Sequence, residues 1–215
     1  MEYGSLSGSR EKHKRIWSES LMEYLGKTAY RWLGRMSPLQ QFMFALAVAG
    51  HALPNFAMYA ENAGRGKLAV RLRGIAEAMW DDLGGKTDDF ADEAEKSLAA
   101  LRKEVTEDGS FGAEAALNAL DLMENALEAS TMRSVSPARV ASDLSFDIIA
   151  SAEATRKGEP LTDDELDESA LVNAERDFEV DLIRFIREKS GGPKHERLRE
   201  MSDADGVSNI GISLA

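Results

Sequence analysis

The chain has 215 residues, 26 basic and 38 acidic, for a formal net charge of −12 at pH 7, with 43% hydrophobic and 30% charged residues and no cysteine. That length implies one sizeable domain with an appendage, and the ordinary globular composition excludes wholesale disorder. Lack of cysteine excludes disulfides, thiolate metal sites and cysteine nucleophiles, and with no signal-peptide pattern at the start the chain reads as cytoplasmic.

Charge is distributed unevenly. Met1 to Met36 is net positive, whereas the acidic excess lies entirely in Ser37 to Ala215. An acidic body repels phosphate backbones, so nucleic acid is not an expected partner. A cationic partner, or the chain's own basic head, suits it better.

In chain order, residues 1–9 (MEYGSLSGS) read as a disordered tail. Residues 10–36 place Trp17, Leu21, Tyr24, Leu25, Thr28 and Trp32 at helical spacing among Lys14, Arg15, Lys27, Arg31 and Arg35. This predicts a basic amphipathic helix with Gly26 in its middle. Packing on the acidic body is favoured for it over anchoring to a membrane surface. From residue 37 to 215 the chain reads as an acidic all-α domain. Ser37-Pro38 starts a helix that runs to about Ala52. Its apolar stretch, Phe42 to Leu53, is far short of the ~20 residues of a membrane span, so no transmembrane segment is expected.

Pro54 restarts the chain into a short helix over Phe56 to Asn62. Leu68 to Leu83 carries Leu72, Ile75, Ala76, Met79 and Leu83 on one stripe. Asp88 to Val105 turns Phe90, Ala94, Leu98 and Leu101 inward, and Glu114 to Ala129 does so with Leu117, Leu120, Met123 and Leu127. Ser136-Pro137 repeats the start signal for a helix ending at Gly158. Thr162-Asp-Asp-Glu165 matches a capping box. The helix after it continues or kinks toward Ile186, with Phe178, Leu182, Phe185 and Ile186 buried. A last piece spans Lys194 to Met201, and Val207 to Ala215 alternates Ile210, Ile212 and Leu214 in an extended period. No hairpin or strand–helix alternation occurs. The expected fold is an all-α, single-domain bundle of about seven to nine helices with a short extended C-terminal tail.

The catalytic inventory is thin. Of three histidines only His51 lies beside an apolar helix end, where a packed or hydrogen-bonded role outweighs a catalytic one. The Glu-x-x-His pairs of a di-iron bundle and the glycine loops of nucleotide folds are absent. Asp88-Asp89-x-x-Asp92 has a magnesium-binding spacing but sits at a helix start, where acids are favoured anyway, and Asp121, Glu124, Asp143 and Asp147 would form a metal site if their two helices converged, though acids at such spacing usually mark a solvated helix face. Trp80 reads as core. In the tail, Asn209 and Gly211 supply a turn while the isoleucines fill a groove.

Several separated motifs resemble a bacterial family, the YjaG-like domain of unknown function family DUF 416. They are Leu53-Pro54-Asn55-Phe56-Ala57-Met58-Tyr59, Met79-Trp80-Asp81-Asp82-Leu83, Leu161-Thr162-Asp163-Asp164-Glu165-Leu166 and Ser208-Asn209-Ile210-Gly211-Ile212. The likeness runs from about Leu33 to the C-terminus. It implies a small soluble all-α cytoplasmic protein and carries over no reaction and no catalytic residue. The basic N-terminal helix departs from it as an addition, and Met22 and Met36 are alternative start points.

The function read from the sequence is a non-catalytic protein-interaction or regulatory module without a cofactor, with a protein partner or a second copy of itself. Its expected binding surface is His51, Pro54, Asn55, Tyr59, Trp80, Asp81, Ser208, Asn209 and Gly211. The rival is a metal-dependent hydrolase of a phosphorylated small molecule, with Asp121, Glu124, Asp143 and Asp147 as ligands.

Overall fold

A computed structural model of the protein describes residues 25–83, 88–105, 110–131, 135–188 and 194–213. The described chain forms ten α-helices: α1 (Lys27–Leu33), α2 (Pro38–His51), α3 (Leu53–Asn62), α4 (Gly66–Asp81), α5 (Asp88–Glu104), α6 (Phe111–Ser130), α7 (Pro137–Lys157), α8 (Asp163–Glu168), α9 (Ala170–Arg187) and α10 (Lys194–Asp203). A 3-10 turn, Ala204–Gly206, follows. Among the described residues the only β pairing is one antiparallel bridge between Val207 and Ser213. The protein is an all-α multi-helix bundle.

The bundle is built around α2. From Phe42 to His51 every residue of this helix is buried, so it has no solvent face and is covered by α6, α7, α9 and α10. Alanines at 45, 47 and 49 on α2 and at 115, 116, 119 and 126 on α6 are buried. Small side chains on both partners let the helix axes approach closely, toward ~8 Å. By length and composition Pro38–Asn62 is apolar enough to cross a membrane, but 83% of its apolar window is buried inside the protein. The chain also leaves the helix between α2 and α3 at Ala52.

Most helix ends follow local chemistry. Ser37 and Gln40 form a reciprocal capping box at the start of α2, and Thr162 and Glu165 form one at the start of α8. Several boundaries differ from the sequence expectation, α3 starting at Leu53 rather than Phe56 among them, and at three places the local chemistry is not the expected one. Gly26 has φ +82 and stands outside the helix, so α1 begins at Lys27 rather than running through it, and it ends at Leu33, short of the expected Met36; residues 10–24 of the expected basic helix and the residues 1–9 tail lie outside the described residues. Ser136 sits in the left-handed region, φ 57 and ψ 52, so its hydroxyl does not cap α7. Beyond Thr162 the expected single helix splits, because Ser169 is extended and its hydroxyl accepts from the Val172 N–H to start α9.

Gly50 is where α10 meets α2. A Cβ there would lie 1.8 Å from Ser202 Oγ and 3.2 Å from Ser202 Cβ. Gly50→Ala therefore overpacks the contact and is expected to cost about 1–3 kcal/mol in urea denaturation. Most of that cost should disappear when Ser202 is also changed to Gly; an unchanged cost in the double variant would place the strain elsewhere.

Candidate functional site

One helix carries acids into the core. The buried stripe of α9 is Val172, Glu175, Glu179, Leu182, Ile183 and Ile186, a three-and-four spacing that puts all six on one face. Glu175 is 1% exposed and Glu179 0%. Isolated buried carboxylates cost several kcal/mol each, so they need partners. Their partners come from α7 and α2, and two further elements extend the network.

On α7, Ser145 Oγ donates to Glu175 Oε1 at 2.6 Å and Ser142 Oγ donates to Glu179 Oε2 at 2.6 Å. At the end of α2, His51 Nδ1 lies 3.0 Å from Glu175 Oε2. That is ion-pair distance without hydrogen-bond alignment, and neither atom has a hydrogen-bond partner. The His51 ring also packs on Phe178, centroids 4.2 Å apart. From the C-terminal segment, Asn209 Nδ2 donates to Ser145 Oγ at 3.0 Å, and Asn209 Oδ1 accepts from Asn55 Nδ2 of α3 at 2.9 Å.

Burial, then the neighbouring charge of Glu175, hold the Glu179 carboxyl well above the usual carboxylate range, against the Ser142 hydrogen bond. Asp143 flanks this cluster on α7 and also raises Glu179. Its own carboxyl is pushed up to about 6, chiefly by burial and further by Asp147, while the Tyr30 hydrogen bond and Arg139 oppose the shift. Tyr30 O–H donates to Asp143 Oδ2 at 3.3 Å, and the Arg139 guanidinium stacks 4.9 Å from the Tyr30 ring centroid.

The order of contacts limits the chemistry. A hydroxyl nucleophile needs a base beside it, with the acid behind the base. Here Glu175 stands between Ser145 and His51, so the histidine does not reach the hydroxyl it would have to deprotonate. All three are closed to solvent as well, with Ser145 0% and His51 8% exposed.

Of the residues expected to form a surface, His51, Pro54, Asn55, Trp80, Ser208 and Asn209 are buried and Tyr59 is half-buried. Only Asp81 and Gly211 are exposed. The structure does bring His51, Asn55 and Asn209 together, but as interior groups. The groove expected around Pro54 and Asn55 is filled by the chain itself. Ile210 is fully buried, and a turn holds it there: the Gly211 N–H donates to Ser208 O, and the Ile212 N–H to Ser208 Oγ. Gly211 has φ +75, a conformation few other residues adopt. Arg156 donates to Ile210 O at 2.9 Å and clamps the turn on α7.

The four carboxylates of the metal reading do not converge. Asp121 and Glu124 both grip Arg102 of α5, whereas Asp143 faces Tyr30. Among the described residues no group of three or more histidine or acidic side chains is arranged to hold a metal ion.

The chain belongs to the family described as a protein of unknown function, DUF416, whose model matches residues 28–213. Its fold is similar to the crystal structure of a DUF416 family protein from Shewanella baltica OS155, with a TM-score of 0.74 and 23% sequence identity over 86% of this chain and 98% of that one. No curated protein matches it in sequence.

The raised carboxyls fix how stability responds to pH. Between about pH 4 and 6 folded Asp143 keeps a proton that the unfolded chain has released, so its contribution to stability falls as pH rises through that window and levels off above it, and the raised Glu179 carboxyl adds a fall of the same sign. Asp143→Asn should remove about 1–2 kcal/mol of that slope, allowing for its partial exposure, as measured by urea midpoints from pH 4 to 8. At pH 8 Glu179→Gln should be at least as stable as the parent, whereas Glu179→Ala, which empties the space and orphans Ser142, should be less stable; the reverse order would mean that Glu179 is ionised in the core. Asn209→Ala leaves buried groups of Asn55 and Ser145 unpaired, at a cost of about 1–3 kcal/mol. Amide exchange at Ile210 and Ile212 should then rise before exchange elsewhere.

Proposed function

We propose that the protein is a non-catalytic interaction module, holding a partner on its surface rather than transforming a substrate. The observation that carries this reading is the closure of the His51–Glu175–Ser145 cluster. It has the residue types of catalysis, in an order that does not activate the serine, inside a core that admits no substrate without opening. The network instead joins α2, α3, α7, α9 and the C-terminal segment, as a group that specifies one packing of the helices would.

The net charge of −12 favours a protein partner with a cationic face, or a second copy meeting through the chain's own basic segment, over nucleic acid. Absence of cysteine suits the reducing cytoplasm. Native mass spectrometry of the protein purified gently from its host tests the reading. The expected spectrum shows a complex of defined stoichiometry, either with one protein or with itself, that dissociates as salt is raised. A stoichiometric divalent cation, together with hydrolysis of a phosphorylated small molecule that Asp147→Asn abolishes, would overturn it.

A further inference from the structure

A cavity of about 310 Å³ opens between α1 and α9, and none of the residues expected to form the binding surface lines it. Its floor is apolar. Leu25 and Ile183 are buried, and Ala29, Trp32 and Val180 are half-buried against the core. Its rim is cationic, formed by Lys27, Arg184 and Arg187. Arg184 is paired with Asp181 at 2.9 Å. Lys27 and Arg187 have no acidic partner among the described residues, in a chain whose acids outnumber its bases by twelve. The Arg187 guanidinium lies flat enough on Trp32 to bring its carbon 3.6 Å from the ring centroid, with Arg35 at 5.8 Å. Stacking of this kind fixes a guanidinium while leaving its edge N–H groups free to take a carboxylate in two parallel hydrogen bonds.

From this arrangement we infer that the α1–α9 cavity is a binding site for a small carboxylate with an apolar tail, of the medium-chain fatty acid class. The head group sits against Arg187 and Lys27, and the tail lies over Trp32, Val180 and Ile183. Two observations select this class. Apolar floor and unpaired cations occur on the same few residues, so the ligand has to carry both an apolar body and a negative charge. The volume is at the lower end of the ~300–1,000 Å³ range of small-molecule sites and spans about two turns of each helix, too short for the groove a peptide helix occupies. The site is independent of the buried network and does not require the protein to lack a macromolecular partner.

Decanoate is the probe, titrated into the full-length protein and followed by calorimetry and by amide shifts. Saturable one-to-one binding is expected, with shifts confined to α1 and α9. Lys27→Gln with Arg187→Gln, both exposed and therefore harmless to the fold, should weaken binding by about tenfold or more, the value of one or two charged hydrogen bonds. Decanol, equal in its tail but neutral, should be weakened to a similar degree. Val180→Trp, which fills the floor, should abolish binding while the variant keeps the helical content of the parent. The inference fails if decanoate does not saturate, if its shifts spread over the whole surface, or if the double glutamine variant binds it as well as the parent does.

Discussion

Two glutamates one helical turn apart, both out of contact with water, impose the strictest condition on this fold. Each carboxylate loses several kcal/mol of hydration on burial, and their mutual repulsion in a medium of low dielectric adds to that. The protein meets the condition by dividing the roles. Glu175 receives the Ser145 hydroxyl on one oxygen and faces His51 with the other, while the Glu179 carboxyl is pushed well above the usual carboxylate range by burial and by the charge of its neighbour. These directional contacts favour one relative placement of α2, α7 and α9, where purely apolar contacts would discriminate less sharply between placements.

That division has a bearing on function. The groups that a search for chemistry would choose first are committed to holding the bundle together, and the acidic surface is partly committed too, since Arg102 of α5 ties down two of the carboxylates of α6. What the molecule leaves open is different in character. Between α1 and α9, stacked arginine and tryptophan meet solvent on an otherwise acidic protein. The buried polar groups and the exposed stacked pair are therefore separate sets of residues, with no side chain common to both.

How much of this is legible in the sequence depends on the range over which the causes act. Capping boxes at Ser37–Gln40 and Thr162–Glu165 are visible because the hydrogen bonds that make them span three residues. The phase of α9 is not visible in the same way. Its aromatics, Phe178 and Phe185, suggest the inward face, but both are only half-buried, and the true stripe runs through Glu175 and Glu179. A signal was present: Val172, Leu182 and Ile186 share a three-and-four spacing with those two acids, and acids on a core stripe mark a buried polar site. Ser142 and Ser145 gave no such signal, because serine suits a helix surface and a core equally well. Pro54 and Asn55 were expected at a surface because nothing near them in sequence reveals that a segment some 150 residues away lies over them.

The bond between Asn55 and Asn209 joins residues 154 apart. Closing a loop of that length has a large entropic cost before any contact compensates for it, whereas the pairings of α3 with α4 and of α6 with α7 close short ones. The turn at Ser208–Ile212 thus ties the end of the described chain to α3 through Asn55 and to α7 through Ser145 and Arg156, so its seat exists only where helices distant in sequence are already packed against one another.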